Sequence, residues 1–541
     1  MILLGKNIYP PQSEEKISFF RGVLVDHEKR DIVLGQNGFS EWNKKQKIKD
    51  YRTFEGGFVS IESFQEHVRI QHDCFGLYPV FFYSDSQISI VSDSLFLISR
   101  VMKIAGRTVS INKESHLTSA WTYGLACSIM TKETIIQNVF YLPPCSSLTI
   151  STKDSTLYCL EEQLDVEQVF ASENNYIEDL ILAKNEILAL VNTVRESTKL
   201  PLKLGLSGGL DSRIILALLM GHSSGLERVH INSNIHQTRK DDYEIAQSLS
   251  KKFDFEINQE IPLGKGKPER VQNPFGNFVL FNLGVFDMTY LYRSYLDTPS
   301  LIEIGGHGAE ISKGTFSTTK LTRKMPLWRP DKKIALYKDL RKSLRHFGVK
   351  MNQKNSTQWH HLLYKSAIQN GRYLERTQLS LRPLMNRRLA ALGLNNKHAE
   401  NTVLKDLLIL LSPELAMQPF DEESKNIDEI YIEKILSESK KYDPISMQKY
   451  TSHGDVTMMK NGLLSSFTSL AQQYSLDNTA NKKTLLRLLE DTWSKSIDRK
   501  LKRVYMNAYK LAKNRLNDEA TYLPSAGSPA SKIIALGILF D

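Results

Sequence analysis

The residues best equipped for chemistry stand together in one stretch, Lys203-Leu204-Gly205-Leu206-Ser207-Gly208-Gly209-Leu210-Asp211-Ser212-Arg213. An apolar-alternating run ends at Leu206 and reads as a buried strand. From Leu210 the apolar spacing becomes Leu210, Ile214, Leu218, with Ile215 and Leu219 alongside, which is helical. Glycine lets the chain turn sharply and lets its N–H groups approach a ligand closely. A helix that starts directly after such a turn presents unpaired N–H groups and a favourable dipole to an anion. This stretch is expected to hold phosphate.

It is not a Walker A loop, which needs a lysine directly before its Ser/Thr; Asp211 occupies that position here. The glycine spacing also excludes a dinucleotide fingerprint. An aspartate inside a phosphate cradle repels phosphate unless a cation lies between them, so Asp211 is read as a carboxylate that bridges Mg²⁺. A plainer account is an Asp–Ser pair capping a helix after a glycine turn. It explains each residue alone but not the whole string placed after a strand.

The string resembles the pyrophosphate loop of the N-type ATP pyrophosphatases, which cleave ATP between its α and β phosphates and place AMP on a substrate. The resemblance implies that Leu206, Ser207, Gly208, Gly209, Asp211 and Ser212 bind ATP. The surrounding elements read as strand, helix, strand, helix. Arg228 to Asn232 form the next strand, and a helix with acids in its first turn starts at Asp241. That order predicts a doubly wound parallel sheet with its ligand at the carboxyl ends of the strands. The superfamily's adenine position points to Ile231 and Asn232. A long amphipathic helix over Asn175 to Ser197, with Leu180, Ile187, Leu190, Val191 and Val194 on one face, leads into the loop.

The 541 residues allow two or more domains with sizeable cores, and the charged and apolar fractions are ordinary for a globular chain. No apolar run reaches membrane-spanning length; Ile533 to Phe540 is too short. The first residues lack the layout of a signal peptide, so a cytoplasmic location and no membrane partner are expected. Cys74, Cys127, Cys145 and Cys159 show no metal-ligand spacing and are read as reduced and structural. The net charge is +10, and between Lys313 and Arg345 eleven Lys/Arg stand against two Asp. That segment could attract an acidic partner or a nucleic acid. Without interleaved aromatic residues, a solvated basic face is the preferred reading.

Up to about residue 165 the chain alternates apolar and polar residues in short runs: Phe19 to Asp26, Gly57 to Ser63, Val68 to His72, Val80 to Tyr83 and Gln87 to Ser92. These predict antiparallel, half-buried strands. Helices are expected near Asp93 to Ile104 and Lys113 to Tyr123. The run Asp73-Cys74-Phe75-Gly76-Leu77-Tyr78-Pro79-Val80-Phe81-Phe82 is similar to a turn of class II glutamine amidotransferase domains. Glu55 to Val59, Ser92 to Leu95 and the Thr134-Ile135 to Leu142-Pro143-Pro144 segment match further stretches of that family in order, with Cys145 where the family has glycine. Together with the pyrophosphate loop, the chain resembles the asparagine synthetase B family over most of residues 1 to about 430. The resemblance implies an N-terminal antiparallel Ntn-like α+β sandwich over 1–165. It also implies an ATP pyrophosphatase domain over 170–430 and a helical extension over 431–541.

The departures are as informative. A glutaminase of this class needs a cysteine after the initiator Met; position 2 is Ile2. The first domain is therefore expected to be a platform without a nucleophile, as in β-lactam synthetases and lasso-peptide cyclases. Gly305-Gly306-His307-Gly308-Ala309-Glu310-Ile311 resembles the family's second acidic loop. Glu310 takes a metal-binding position, His307 replaces the first Asp, Ile311 replaces the final Glu, and Gly306 and Gly308 line the nucleotide. His307 is a candidate catalytic group, with a locally bonded turn residue as the plainer account. Gly284 stands where asparagine synthetases carry a catalytic glutamate; Tyr290 and Tyr292 lie nearby, out of register. Leu381 to Leu389 resembles a segment on the acyl-substrate side. The family's charge-stabilising lysine is matched by Lys405 or Lys425, between which the sequence does not choose.

The resemblance implies an ATP- and Mg²⁺-dependent ligase. It adenylates a small-molecule or peptide carboxylate and passes the acyl group to an amine or ammonia. A homodimer is open to it. The rival readings are an ammonia-using asparagine synthase, a tRNA-adenylating enzyme and an inactive scaffold.

Overall fold

The computed structural model describes residues 2–5, 18–45, 50–64, 67–113, 115, 118, 128–153, 156–172, 175–236, 239–259, 274–286, 301–314, 330–353, 355–371, 379–394, 399–442, 449–455, 481–521 and 523–540. The helix expected over Lys113 to Tyr123, and Tyr290 and Tyr292, fall largely or wholly outside them.

The N-terminal third is built mainly of short antiparallel strands. They are β1 (Ile2–Gly5), β2 (Ser18–Asp26), β3 (Asp31–Leu34), β4 (Glu55–Ser63), β5 (His67–His72), β6 (Val80–Ser84), β7 (Ile88–Ser92), β8 (Val139–Leu142), β9 (Ser146–Lys153) and β10 (Thr156–Gln163). One sheet runs β1-β7-β6-β8 and a larger one β10-β9-β5-β4-β2-β3. β2 and β4 to β7 lie where the alternation placed them, because residues two apart share a face and the apolar set must turn inward; β1, β3 and β8 to β10 were not anticipated. Val59, Val68, Ile70 and Leu148 of the larger sheet meet Val80, Phe82, Val91 and Leu142 of the smaller in one cluster. The two sheets thus form a sandwich. The helix Leu95–Ile104 follows β7, with the Ser94 hydroxyl accepting from the Leu97 N–H at 3.3 Å.

A second sheet system is parallel: β11 (Leu202–Gly205), β12 (Val229–Asn232), β13 (Ile302–Ile304) and β14 (Leu379–Leu381), in the order β12-β11-β13-β14. The helix Tyr176–Ser197 leads into β11; Asn175 caps it by accepting from the Glu178 N–H at 3.1 Å. Its expected apolar face, Leu180, Ile187, Leu190, Val191 and Val194, is buried. It lies in a core with Ile302, Ile304 and the loop helix residues Ile214, Ile215 and Leu218.

Residues beyond 430 do two things that no local pattern announced. Thr451–His453 (β15) joins the larger N-terminal sheet, parallel to β3. The helices Lys482–Lys495, Arg499–Asn517 and Leu523–Phe540 share one core with Leu95, Ile98, Ile135 and Phe286. The apolar run Ile533 to Phe540 is that helix's buried face. No helix among the described residues is long and apolar enough to cross a membrane.

Candidate functional site: the loops after β11 and β13

In the sheet order β12-β11-β13, the chain moves to one side of β11 and then returns to the other. The strand order therefore reverses between β11 and β13. Open parallel sheets hold ligands outside the carboxyl ends of their strands at such a reversal, where neighbouring connections diverge and leave a crevice. Ser207 to Ser212 follows β11, and Gly305 to Glu310 follows β13. The two stretches with chemical character, about a hundred residues apart in sequence, stand side by side at this point.

The first loop is tightly tied. Leu206 is buried, and its N–H donates to the Asn232 carbonyl at 2.8 Å, extending the β11–β12 ladder. The Ser207 N–H donates to the Ser212 hydroxyl at 3.1 Å, and the Gly209 N–H to the Ser207 hydroxyl at 3.3 Å. The Gly208 N–H donates to Asp242 Oδ1 at 3.0 Å. The helix Leu210–Met220 then starts from Gly209 with no side chain capping it. Helix N-termini without a side-chain cap leave N–H groups that an anion can satisfy.

Asp211, in the first turn, contacts Lys313 through Oδ2 at 2.6 Å. Its Oδ1 is buried with no hydrogen-bond partner. Burial raises the Asp211 pKa; the Glu310 carboxylate pushes in the same direction, and the Lys313 ammonium opposes both. The second loop approaches so closely that a Cβ on Gly306 would lie 2.7 Å from Asp211 Cβ. Gly308 adopts φ +96°, and a Cβ there would overlap the Met385 sulfur. Both glycines are required, one for contact and one for conformation. Glu310 is occupied: Oε2 accepts from the Gly308 N–H at 3.0 Å and Oε1 from Asn370 Nδ2 at 3.2 Å. His307 folds back beside Gly305, with Cδ2 3.2 Å from where a Cβ would stand.

The structure separates the two candidate lysines. Lys425 Nζ bonds to Asp421 Oδ2 at 3.0 Å and Glu422 Oε1 at 2.9 Å. The Asp421 N–H donates to the Gly208 carbonyl at 3.4 Å, which sets Lys425 beside the loop. Lys405, on the helix Thr402–Leu411, has Asp406 and Asp428 as its charged neighbours and bonds to neither loop. Ile231 is buried, and its carbonyl accepts from the Asn258 N–H at 2.8 Å, so little of it is free for a ligand. Asn232 Oδ1 and Ser233 Oγ are buried without partners at the end of β12. Gly284 is far from this chemistry in packing terms. With φ +74°, it lies against Leu539, Ile135 and Leu95.

Two residues of the site carried no recognisable signal. Lys313 was only one of many bases in a basic segment. Arg213 is fully buried behind the loop. It donates to the Gln418 carbonyl at 2.7 Å and the Pro419 carbonyl at 2.6 Å, and its guanidinium lies 3.7 Å over the Phe420 ring. Burial lowers its pKa to about 10. Its fork fixes the segment that carries Asp421 against Gly208.

Among the described residues no group of three or more His, Cys, Asp and Glu is arranged to hold a metal. A magnesium ion that keeps waters and takes phosphate oxygens needs only one or two carboxylates. The orphaned Asp211 Oδ1 fits such a role. No protein-family model matches the chain, and no curated protein matches it in sequence.

Proposed function

We propose that the chain is an ATP-dependent, amide-forming synthetase that adenylates a substrate carboxylate, with ATP seated over Ser207 to Ser212. The observation that carries this reading is the buried, partnerless Asp211 oxygen at the uncapped start of a helix. It stands at the strand-order reversal of a parallel sheet. A buried polar atom without a partner costs on the order of 1–3 kcal/mol. A nucleotide's cation would remove that cost.

Asp211 would hold Mg²⁺ through Oδ1, with Glu310, whose oxygens already accept from Gly308 and Asn370, adding negative charge beside it; the ion would supply charge neutralisation for the phosphates. The N–H groups at the start of the helix orient the pyrophosphate portion of ATP. The substrate carboxylate attacks the α phosphorus, the bond to the bridging oxygen breaks, and pyrophosphate leaves carrying the electron pair. Lys425, which lies beside the first loop, and His307, in the second, are the groups that would meet the charge that develops. An amine then attacks the acyl carbon, AMP departs and the amine loses a proton. Asn232 and Ser233 supply unused polar atoms for the base or ribose.

The sandwich of residues 18–163 fits a degenerate amidotransferase-like, Ntn-like platform. Cys145, where that family has glycine, adopts φ +59°, a conformation that favours glycine. Cys74 and Cys145 are buried with thiol pKa values pushed up, and the half-buried Cys159 is raised to about 11. None of these thiols is poised as a nucleophile. The amine is then free ammonia, a second substrate or a group on the same molecule.

The test is pyrophosphate release from ATP and Mg²⁺ with pools of carboxylic acids. The expected result is substrate-dependent release that Asp211→Ala abolishes. One observation favours a non-catalytic scaffold: the Asp242 carboxylate occupies the Gly208 N–H, where a phosphate would bind. The absence of both pyrophosphate release and ATP binding would decide for that reading.

A further inference from the structure

The basic segment singled out in the sequence is not absorbed by the nucleotide loops. Most of its described part is the helix Pro330–His346. Lys338, Arg341, Lys342 and Arg345 recur at helical spacing and so share one face. That face borders a cavity of about 410 Å³ whose lining also includes Thr131, Lys132, Glu133 and Tyr364. A cavity of this size takes a small molecule rather than a macromolecular segment.

The charges of the cavity do not cancel. Lys342 pairs with Glu133 at 2.9 Å, Lys132 with Glu161 at 3.1 Å, and His346 with the other Glu161 oxygen at 3.3 Å. Lys338, Arg341 and Arg345 form no ion pair with a described residue and are exposed. The surplus is positive and lies along one wall. Guanidinium groups one helical turn apart are suited to phosphate oxygens, which they grip with paired N–H donors.

Two further atoms point to a ligand that is more than an anion. Tyr364 is fully buried, held by Phe347 at 5.9 Å and His360 at 5.0 Å between ring centres. Its hydroxyl is buried without a partner although the residue lines the cavity. Glu133 Oε2 is likewise buried and unpartnered. A carboxylate oxygen accepts only, so its missing partner must donate. A phosphate dianion has no hydrogen to give. A ligand that meets these two atoms as well as the basic wall carries hydroxyl groups beside its phosphate.

We propose that this cavity is a binding site for a phosphorylated, polyhydroxylated small molecule of the sugar phosphate class. Lys338, Arg341 and Arg345 take the phosphate, and the Tyr364 hydroxyl and Glu133 Oε2 take ligand hydroxyls. The site is separate from the loops after β11 and β13, and it does not depend on the function assigned to them.

Isothermal titration of the full chain with fructose bisphosphate, in magnesium-free buffer, tests the assignment. One saturable site is expected, at least about tenfold tighter than inorganic phosphate because the hydroxyl contacts add about 1.4 kcal/mol or more. The double variant Arg341→Ala/Arg345→Ala should weaken binding by about thirtyfold or more and leave the melting temperature in place, since both side chains are exposed. Tyr364→Phe keeps the packed ring and should weaken binding by about three- to tenfold. Absence of saturable binding overturns the proposal, as does binding that survives the double arginine variant. Equal affinity for inorganic phosphate removes the sugar class. Arginine-dependent binding of a short single-stranded RNA in place of the sugar phosphate overturns the small-molecule site.

Discussion

Asp211 and Glu310 stand on neighbouring loops at the same end of the parallel sheet, close enough for each charge to be felt by the other, yet they are held in opposite ways. Both Glu310 oxygens accept from protein donors, and they tie the Gly308 turn to Asn370. Asp211 has one oxygen on Lys313 and the other buried with nothing to accept from. Asp73, in the N-terminal sandwich, extends the comparison. It is fully buried, and its oxygens accept from the Phe75 N–H at 3.0 Å and the Leu77 N–H at 3.0 Å. A carboxylate whose lone pairs are filled by its own chain holds structure. One that is buried and half-filled is destabilising as it stands, and it makes sense where a ligand completes it. On the proposed reading, the same residue chemistry divides into scaffold and site according to where the donors are.

The largest expected effect breaks the comparison if it fails. Asp211→Asn should lower substrate-dependent pyrophosphate release by about a thousandfold, about 4 kcal/mol of transition-state stabilisation, without lowering the melting temperature. An unstable but active variant would make Asp211 a structural residue like the others.

Asp73 offers a pH readout of the structural kind. Burial raises its pKa to about 7 in the folded chain, against an ordinary value of 3.8. Between these values the folded state binds a proton that the unfolded state has released. Stability from this group is therefore present at the acid end and lost as pH rises from about 4 to about 7, by up to about 1.4 kcal/mol per pH unit. Denaturant unfolding of the wild type and Asp73→Asn across that range should show the difference. Parallel pH profiles would refute it.

Next in size is Gly306→Val. With a Cβ set only 2.7 Å from Asp211 Cβ and 2.8 Å from its carbonyl carbon, the two loops must separate. We expect a loss of about 2–3 kcal/mol in stability and at least about tenfold in ATP affinity. Gly305→Ala, whose Cβ meets only His307 Cδ2 at 3.2 Å, should be milder. The smallest effect should come from Glu310→Gln, which retains an acceptor for the Gly308 N–H. A roughly tenfold rise in the magnesium concentration needed for half-maximal activity is expected. A loss as large as that of Asp211→Asn would show that both carboxylates serve the ligand.

Much of the fold was legible because its signals are local. Alternation located β2 and β4 to β7, and the change of period at Leu210 located the loop and its helix. The amphipathic face over 175–197 located the long helix, whose cap at Asn175 the structure adds. The candidate site was legible at Ser207 to Ser212, where glycine and acid spacing is compressed into a few residues, and at Gly306 to Glu310 through a resemblance. It was not legible at Arg213, whose apolar helical surroundings gave no hint that it reaches the carbonyls of 418 and 419. Lys405 and Lys425 were indistinguishable in sequence, since a lone lysine has no pattern; a contact between Asp421 and Gly208 separates them.

By itself the sequence determined many of the strands and helices, which turns carry glycine, and which short string of small and acidic residues stands between a strand and a helix. These follow from periodicity, capping and backbone sterics, which act over a few residues. Only the tertiary structure decided that Lys313 closes on Asp211 from 102 positions away, that Thr451–His453 joins the larger N-terminal sheet, and that Gly284 packs against Leu539, Ile135 and Leu95. Such pairings depend on how separate apolar faces come together, and burial does not encode partners in the spacing of either segment.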